Sequence, residues 1–152
     1  MDLSDLIQPN GVVASLKATS KKQTIQELSE KAAEITGLDE RLIFETLLQR
    51  ERLGSTGVGG GVAIPHGKLK QLDRIHGIFA RLAHPIDFEA LDDQPVDLVF
   101  LLLAPESAGA DHLKALARIA RLLKEPGVAV KLRASADKSA LYAVLSETHT
   151  AA

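Results

Sequence analysis

Val96-Asp97-Leu98-Val99-Phe100-Leu101-Leu102-Leu103-Ala104 contains the longest strongly apolar run in the chain, Leu98 to Ala104. In an extended strand successive side chains point to opposite faces, and here both faces are apolar. Such a strand must be covered on both sides, as in the middle of a sheet with helices above and below it. Pro105 ends the run. It is far too short for the roughly 20 apolar residues of a membrane-spanning helix, so no membrane insertion is expected.

On the N-terminal side, Val62-Ala63-Ile64 reads as a short strand stopped by Pro65. Gly77 to Leu82 reads as a strand with partial alternation, and Ile86 to Phe88 as an edge segment. Gly11 to Leu16 is apolar and β-branched, one more strand. Ser20 followed by Gln23 fits a capping box, after which Ile25, Leu28, Ala32 and Ile35 recur at helical spacing and Gly37 stops the helix. Asp39 caps a second helix with Ile43, Leu47 and Leu48 on its buried stripe and Gly54 at its end. Gly54 to Gly61, GSTGVGGG, suits neither a helix nor a stable strand. Beyond the central strand, Asp111 to Lys124 reads as a helix with Leu113, Leu116, Ala117, Ala120 and Leu123 on one stripe. Pro126 opens another helix from its first position, and Asp137 to Ser146 forms the last. Strands and helices are interspersed, which predicts a layered α/β domain.

With 152 residues the chain suits one domain, a core from about 5 to 147 followed by a polar tail at 148–152. A chain of this size buries about two-thirds of its unfolded surface and needs no staple. The absence of cysteine excludes a disulfide scaffold, a cysteine nucleophile and a cysteine zinc site. A net charge of −2 with 3% aromatics leaves neither a phosphate-backbone footprint nor a base-stacking platform, so no nucleic acid partner is expected. MDLSDLIQPNGVV lacks the basic and then apolar segments of a secretory leader, and a cytoplasmic location is expected.

The sharpest local feature is Gly57-Val58-Gly59-Gly60-Gly61-Val62-Ala63-Ile64-Pro65-His66-Gly67. Glycines let backbone N–H groups approach an anion closely, and a proline fixes the chain ahead of the histidine. A rigid imidazole among fixed dipoles is what a histidine accepting a phosphoryl group requires. A flexible turn with an exposed histidine is the plain alternative. Neither the Walker loop nor the dinucleotide motif fits, since position 62 is valine in both alignments. No nucleotide cofactor is expected.

Arg50 lies on or beside the buried stripe of its helix, where a guanidinium must snorkel, pair or face a cleft. Facing a cleft, its planar fork suits phosphoryl oxygens. Glu51 and Arg52 carry no such constraint and read as solvated. His112 sits at a helix start, where free N–H groups attract anions and imidazolium is disfavoured; a surface histidine is the alternative. Ser55 and Thr56 are candidates for holding an anion or for a plain loop role. His76, His84 and His149 read as strand-entry, turn and tail residues. Asp87, Glu89, Asp92 and Asp93 read as a solvated acidic loop. No two histidines are spaced as helical metal ligands, so no metal is expected; a hydrolase assembling a metal on His66, His112 and an acidic residue is a rival reading.

These residues together resemble the fructose/mannitol/nitrogen-type enzyme IIA proteins of the bacterial phosphotransferase system, and most of all their nitrogen-regulatory branch. The resemblance is carried by Gln49-Arg50-Glu51-Arg52-Leu53-Gly54-Ser55-Thr56-Gly57-Val58-Gly59 and by Val62-Ala63-Ile64-Pro65-His66-Gly67. Pro85-Ile86-Asp87-Phe88, Gln94 to Leu103, and Asp111-His112-Leu113 leading into Leu116-Ala117-Arg118-Ile119-Ala120 continue it in the same order. At Gly60 the family often carries a polar or charged residue.

The resemblance implies a mixed sheet of about five strands flanked by helices. It implies that His66 is phosphorylated, through Nε2, by an HPr/NPr-type phosphocarrier, with Arg50 and His112 lining the site. Ser55, Thr56, Gly57 and Gly59 are the expected phosphate-binding loop. The implied output is regulatory, acting on targets such as sensor kinases or potassium-transport regulators. A sugar-specific enzyme IIA passing phosphate to a separate IIB chain is the main rival.

Overall fold

The computed structural model describes residues 3–147, so His149 and the tail at 148–152 lie outside it. The order is β1 (Ile7–Leu16), α1 (Lys21–Thr36), α2 (Glu40–Arg52), β2 (Gly57–Gly59), β3 (Val62–Ala63), β4 (His66–Leu69), β5 (His76–Ile86), β6 (Val96–Pro105), α3 (Ala110–Lys124), α4 (Pro126–Ala134) and α5 (Lys138–Ser146). Short 3₁₀ turns stand at Leu3–Asp5 and Glu106–Ala108.

Local chemistry sets most helix ends. The Ser20 hydroxyl accepts from the Gln23 N–H at 3.1 Å. The Gln23 side chain takes the Thr19 N–H at 2.9 Å instead of reaching back to Ser20, so the capping box closes one residue early. Gly37 ends α1 at φ 75°, a left-handed conformation that costs glycine little, and its N–H reaches the Ala33 carbonyl. Asp39 and Asp137 cap α2 and α5 through the N–H groups of Leu42 and Ala140.

The sheet is mixed, in the order β1-β5-β6-β3-β2, with β4 also paired to β6. β5 runs antiparallel to β6; β1 is parallel to β5, and β3 and β4 are parallel to β6. β3 and β4 share one lane: Val62 and Ala63 face Leu98 and Val99, while His66 to Leu69 face Leu102 to Pro105. Pro65, which has no N–H to give a ladder, stands in the break between them. Six strands therefore fill five lanes, in agreement with the breadth expected.

β6 is buried at every position except half-buried Asp97. Leu98, Phe100 and Leu102 join Ala115, Ile119, Leu132 and Leu145 of α3, α4 and α5 on one face. Val99, Leu101 and Leu103 join Ile25, Leu28, Ile43 and Leu47 of α1 and α2 on the other. Each such valine, leucine, isoleucine or phenylalanine, fully buried, contributes about 1.5–3 kcal/mol.

The structure departs from expectation in several elements. β1 starts at Ile7, earlier than Gly11. β5 extends to Ile86, so His84 lies in a strand and not a turn. Phe88 is fully buried beyond that strand and is not part of an edge segment. GSTGVGGG contains β2, paired antiparallel to β3. Gly60 and Gly61 join the two at φ 68° and 81°, the positive values a type I′ turn demands.

Asp87, Glu89, Asp92 and Asp93 are all exposed, as expected of the acidic loop, and Asp92 is in addition anchored by backbone groups. Asp92 accepts from the Gly60 N–H at 3.0 Å and from the Gln94 N–H at 3.2 Å. These backbone bonds hold its carboxyl below the usual range. In α3 the buried residues are His112, Ala115, Ile119, Leu122 and Leu123. Leu113, assigned to the apolar stripe, is 66% exposed. Ala117 is exposed as well, whereas Leu123 is buried and Leu116 and Ala120 are half-buried against the core, so the buried face is centred to one side of the expected stripe.

Candidate active site

His66 opens β4 directly after Pro65, opposite Leu102 of β6. The segment leading into it is pinned on both sides. The Ile64 N–H donates to the Thr56 carbonyl at 3.0 Å, and the Leu102 N–H donates to the Pro65 carbonyl at 2.9 Å. The His66 Nδ1 lies 2.8 Å from the Ile64 carbonyl oxygen. Arg50 donates from Nε to His66 Nε2 at 3.2 Å. A guanidinium has no lone pair to offer, so Nε2 must be the accepting nitrogen and Nδ1 must carry the proton. Both contacts require the same tautomer.

Arg50 stands in the last turn of α2, where a cation suits the helix dipole. Its second arm donates to the Gly54 carbonyl at 2.8 Å, which fixes the plane of the fork. His112, the third residue of α3, is 5% exposed. Its ring centroid lies 5.5 Å from that of His66, tilted by 55°. The His112 Nδ1 is buried with no hydrogen-bond partner. The site thus spans the sheet, drawing an arginine from the α1–α2 layer and a histidine from the α3–α5 layer. It lies where parallel β3 and β6 run out towards their carboxyl ends, the usual position for a ligand site in open α/β sheets.

Burial holds the His66 pKa below its ordinary 6.5. The bond to Ile64 works against that shift, the Arg50 cation adds to it, and the Glu51 carboxylate opposes it. His112 is held low first by burial, then by His66 and by the Lys68 ammonium. Both rings are therefore neutral at pH 7. A neutral imidazole of fixed tautomer, with Arg50 and Lys68 nearby, combines a nucleophile with surroundings that favour an anion. Lys68 was not among the candidates; it follows His66 by two residues in a strand and so shares its face.

Glu51 is the main correction. Read as solvated, it is 7% exposed and fully engaged. It accepts from the Thr56 N–H at 3.2 Å and from the Thr56 hydroxyl, and Lys21 Nζ stands 2.8 Å from Oε2. Its signal lay outside its own helix, in the hydroxyl of Thr56 and the lysine that opens α1.

The loop candidates make contacts of their own within the fold. The Ser55 hydroxyl donates to the Phe88 carbonyl at 2.6 Å and accepts from the Gly57 N–H at 3.0 Å. Gly57 packs against Ala90, where a Cβ would come within 2.8 Å of the alanine methyl. Gly59 lies opposite Val62, four residues before His66 along the β6 lane, about 13 Å at the usual strand rise. The turn beyond it is held by Asp92 and by Arg133, which donates to the Gly60 carbonyl at 2.8 Å.

Among the described residues no three His, Asp or Glu side chains are grouped as metal ligands. The guanidinium on His66 Nε2 also repels a cation there. No helix among the described residues is long and apolar enough to cross a membrane.

Known proteins share this architecture. The nitrogen regulatory protein of Bradyrhizobium diazoefficiens is 65% identical over 146 residues, covering 96% of this chain and 95% of that one. The nitrogen regulatory protein of Escherichia coli is 38% identical over 149 residues, covering 97% and 91%. The crystal structure of nitrogen regulatory protein IIA-Ntr from Neisseria meningitidis superposes with a TM-score of 0.89 at 33% identity, covering 94% of this chain and 98% of that one. Residues 5–148 match the family model described as "Phosphoenolpyruvate-dependent sugar phosphotransferase system, EIIA 2", and the chain belongs to that family.

Proposed function

We propose that His66 accepts a phosphoryl group at Nε2 from an HPr/NPr-type phosphocarrier and that its phosphorylation state controls binding to regulated target proteins. The observation that carries this reading is the His66 ring itself, with Nδ1 on the Ile64 carbonyl and the Nε2 lone pair turned to Arg50. In the transfer, the Nε2 lone pair forms the new P–N bond while the donor's P–N bond breaks and its electron pair returns to the donor imidazole. Arg50 leaves the nitrogen for the phosphoryl oxygens. His112 and Lys68 stabilise the charge spread over those oxygens in a loose transition state.

The Nδ1 proton stays on the ring, hydrogen-bonded to Ile64. The phosphorylated imidazole is then cationic and a good leaving group, as onward transfer requires. Ser55, Thr56, Gly57 and Gly59 act at one remove, holding the segments that carry His66 and Glu51. The phosphoryl oxygens carry about two negative charges against one positive charge on the ring, a local change large enough to alter which surfaces dock beside it. The nitrogen regulatory names of the relatives at 38–65% identity support a regulatory output, while relatives at 30–35% identity include fructose-specific components.

Intact-mass analysis tests the relay. After incubation with phosphoenolpyruvate, enzyme I and a phosphocarrier, the wild type gains one acid-labile phosphate and His66→Ala gains none. His112→Ala gains it more slowly, by about 10²–10³-fold if it stabilises the transition state. No phosphate on the wild type, with carriers active on another acceptor, would remove the proposal. Affinity capture with both forms tests the output. State-dependent capture of a target that takes no phosphate supports regulation; recovery of a phosphate-accepting IIB chain alone replaces it with the sugar route.

A further inference from the structure

Among the described residues Glu51 is the one buried carboxylate, and it adjoins the site. Its side chain is 3% exposed and that of Lys21 is 17% exposed. Lys21 Nζ also lies 3.6 Å from Glu89 and 5.2 Å from the centre of the Phe88 ring. A buried carboxylate is tolerated only when its oxygens are fully satisfied. Lys21 and both Thr56 donors satisfy this one. Such an ion pair adds little net stability over an apolar replacement, so its rationale lies in what it fixes.

The hydrogen bonds form one short chain. Glu51 takes the N–H and hydroxyl of Thr56. The Thr56 carbonyl takes the Ile64 N–H at 3.0 Å. The Ile64 carbonyl faces His66 Nδ1 at 2.8 Å. Glu51 adjoins Arg50, whose Nε faces the other ring nitrogen of His66. Both nitrogens are thereby referenced to the same turn of α2.

We infer that Glu51, neutralised by Lys21, is a positioning residue for the phosphoryl-accepting histidine: through Thr56 and the Ile64 carbonyl it fixes the orientation and tautomer of the His66 ring. The inference rests on the reading of His66 as the phosphoryl acceptor. Second-neighbour partners of this kind commonly set which imidazole nitrogen is free to react. Removing the carboxylate takes the acceptor from the Thr56 N–H and hydroxyl, leaves Lys21 only its longer contact to Glu89, and frees the Thr56–Ile64 contact to shift.

The test uses unphosphorylated protein labelled with ¹⁵N at histidine, comparing wild type, Glu51→Gln and Glu51→Ala. The wild type shows a single Nδ1–H tautomer at His66. Glu51→Ala shows signals averaged between the two tautomers and accepts phosphate about tenfold more slowly or worse, the scale at which orienting partners act. Glu51→Gln, which keeps an acceptor for Thr56, falls between them. Retention of the Nδ1–H tautomer in Glu51→Ala overturns the inference, whether the rate holds or falls, because the residue then acts elsewhere. Should Glu51→Ala not fold, the same two readouts on Glu51→Gln decide, with an unchanged tautomer again overturning it. The tautomer measurement needs no phosphate donor. Failure of wild type to take phosphate would instead remove the reading of His66 as acceptor.

Discussion

His66 carries its proton on Nδ1 and its lone pair on Nε2, and its neighbours act on one atom or the other. Because burial and Arg50 hold its pKa below 6.5, the reactive neutral form persists as the solution turns weakly acid. Phosphoryl acceptance should therefore stay level down to about that ordinary value and fall only below it. Arg50→Met removes a cation that favours the neutral ring, so its acid limb moves to higher pH, and loss of the clamp lowers the plateau by about 10²-fold or more. Single-turnover rates from one phosphocarrier across the weakly acid range check both effects, since the donor's own titration is common to wild type and variant. His66, Arg50 and His112 were legible as candidates because each is a residue type out of place: a histidine behind Pro65, an arginine beside an apolar stripe, a histidine opening a helix. Glu51 was not. A glutamate in a helix's last turn looks solvated until the distant Lys21 and Thr56 are brought to it.

The central strand and the helix caps were readable because their signals are local. β6 advertises both its faces, and Ser20, Asp39 and Asp137 each sit one residue ahead of their helices. β4 gave no such signal: His66-Gly67-Lys68-Leu69 has no alternation, and it is a strand only because β6 offers it a partner. Helix α3 misled for a functional reason. An apolar count avoids His112 and accepts Leu113, whereas the fold turns the histidine inward and leaves the leucine outside. The two stripes predict opposite mutational outcomes. Ile119→Ala, at a fully buried position, should cost about 2–5 kcal/mol. Leu113→Ser should stay within about 0.5 kcal/mol. Urea unfolding of both variants measures the difference, and a larger loss at Leu113 would restore the expected stripe.

Across the whole molecule, the sheet sets two helix layers on opposite faces and lets α2 and α3 meet at one histidine. The same burial couples the histidines to stability. His66, His76 and His112 all titrate below 6.5 in the fold, each chiefly through burial. Above that pH neither state is protonated and no stability is lost. As pH falls through 6.5 the unfolded chain takes up protons that the fold resists, so stability declines until the folded values are passed, then levels. The melting temperature should fall over that window, and less steeply in His76→Gln, at a position across β6 from Gly67. The most direct test of the account is ¹⁵N and ³¹P NMR of histidine-labelled protein before and after phosphorylation by the carrier. It predicts a new P–N coupling at His66 Nε2 with the Nδ1 proton still in place. A phosphate on Nδ1, or on any residue other than His66, would contradict it.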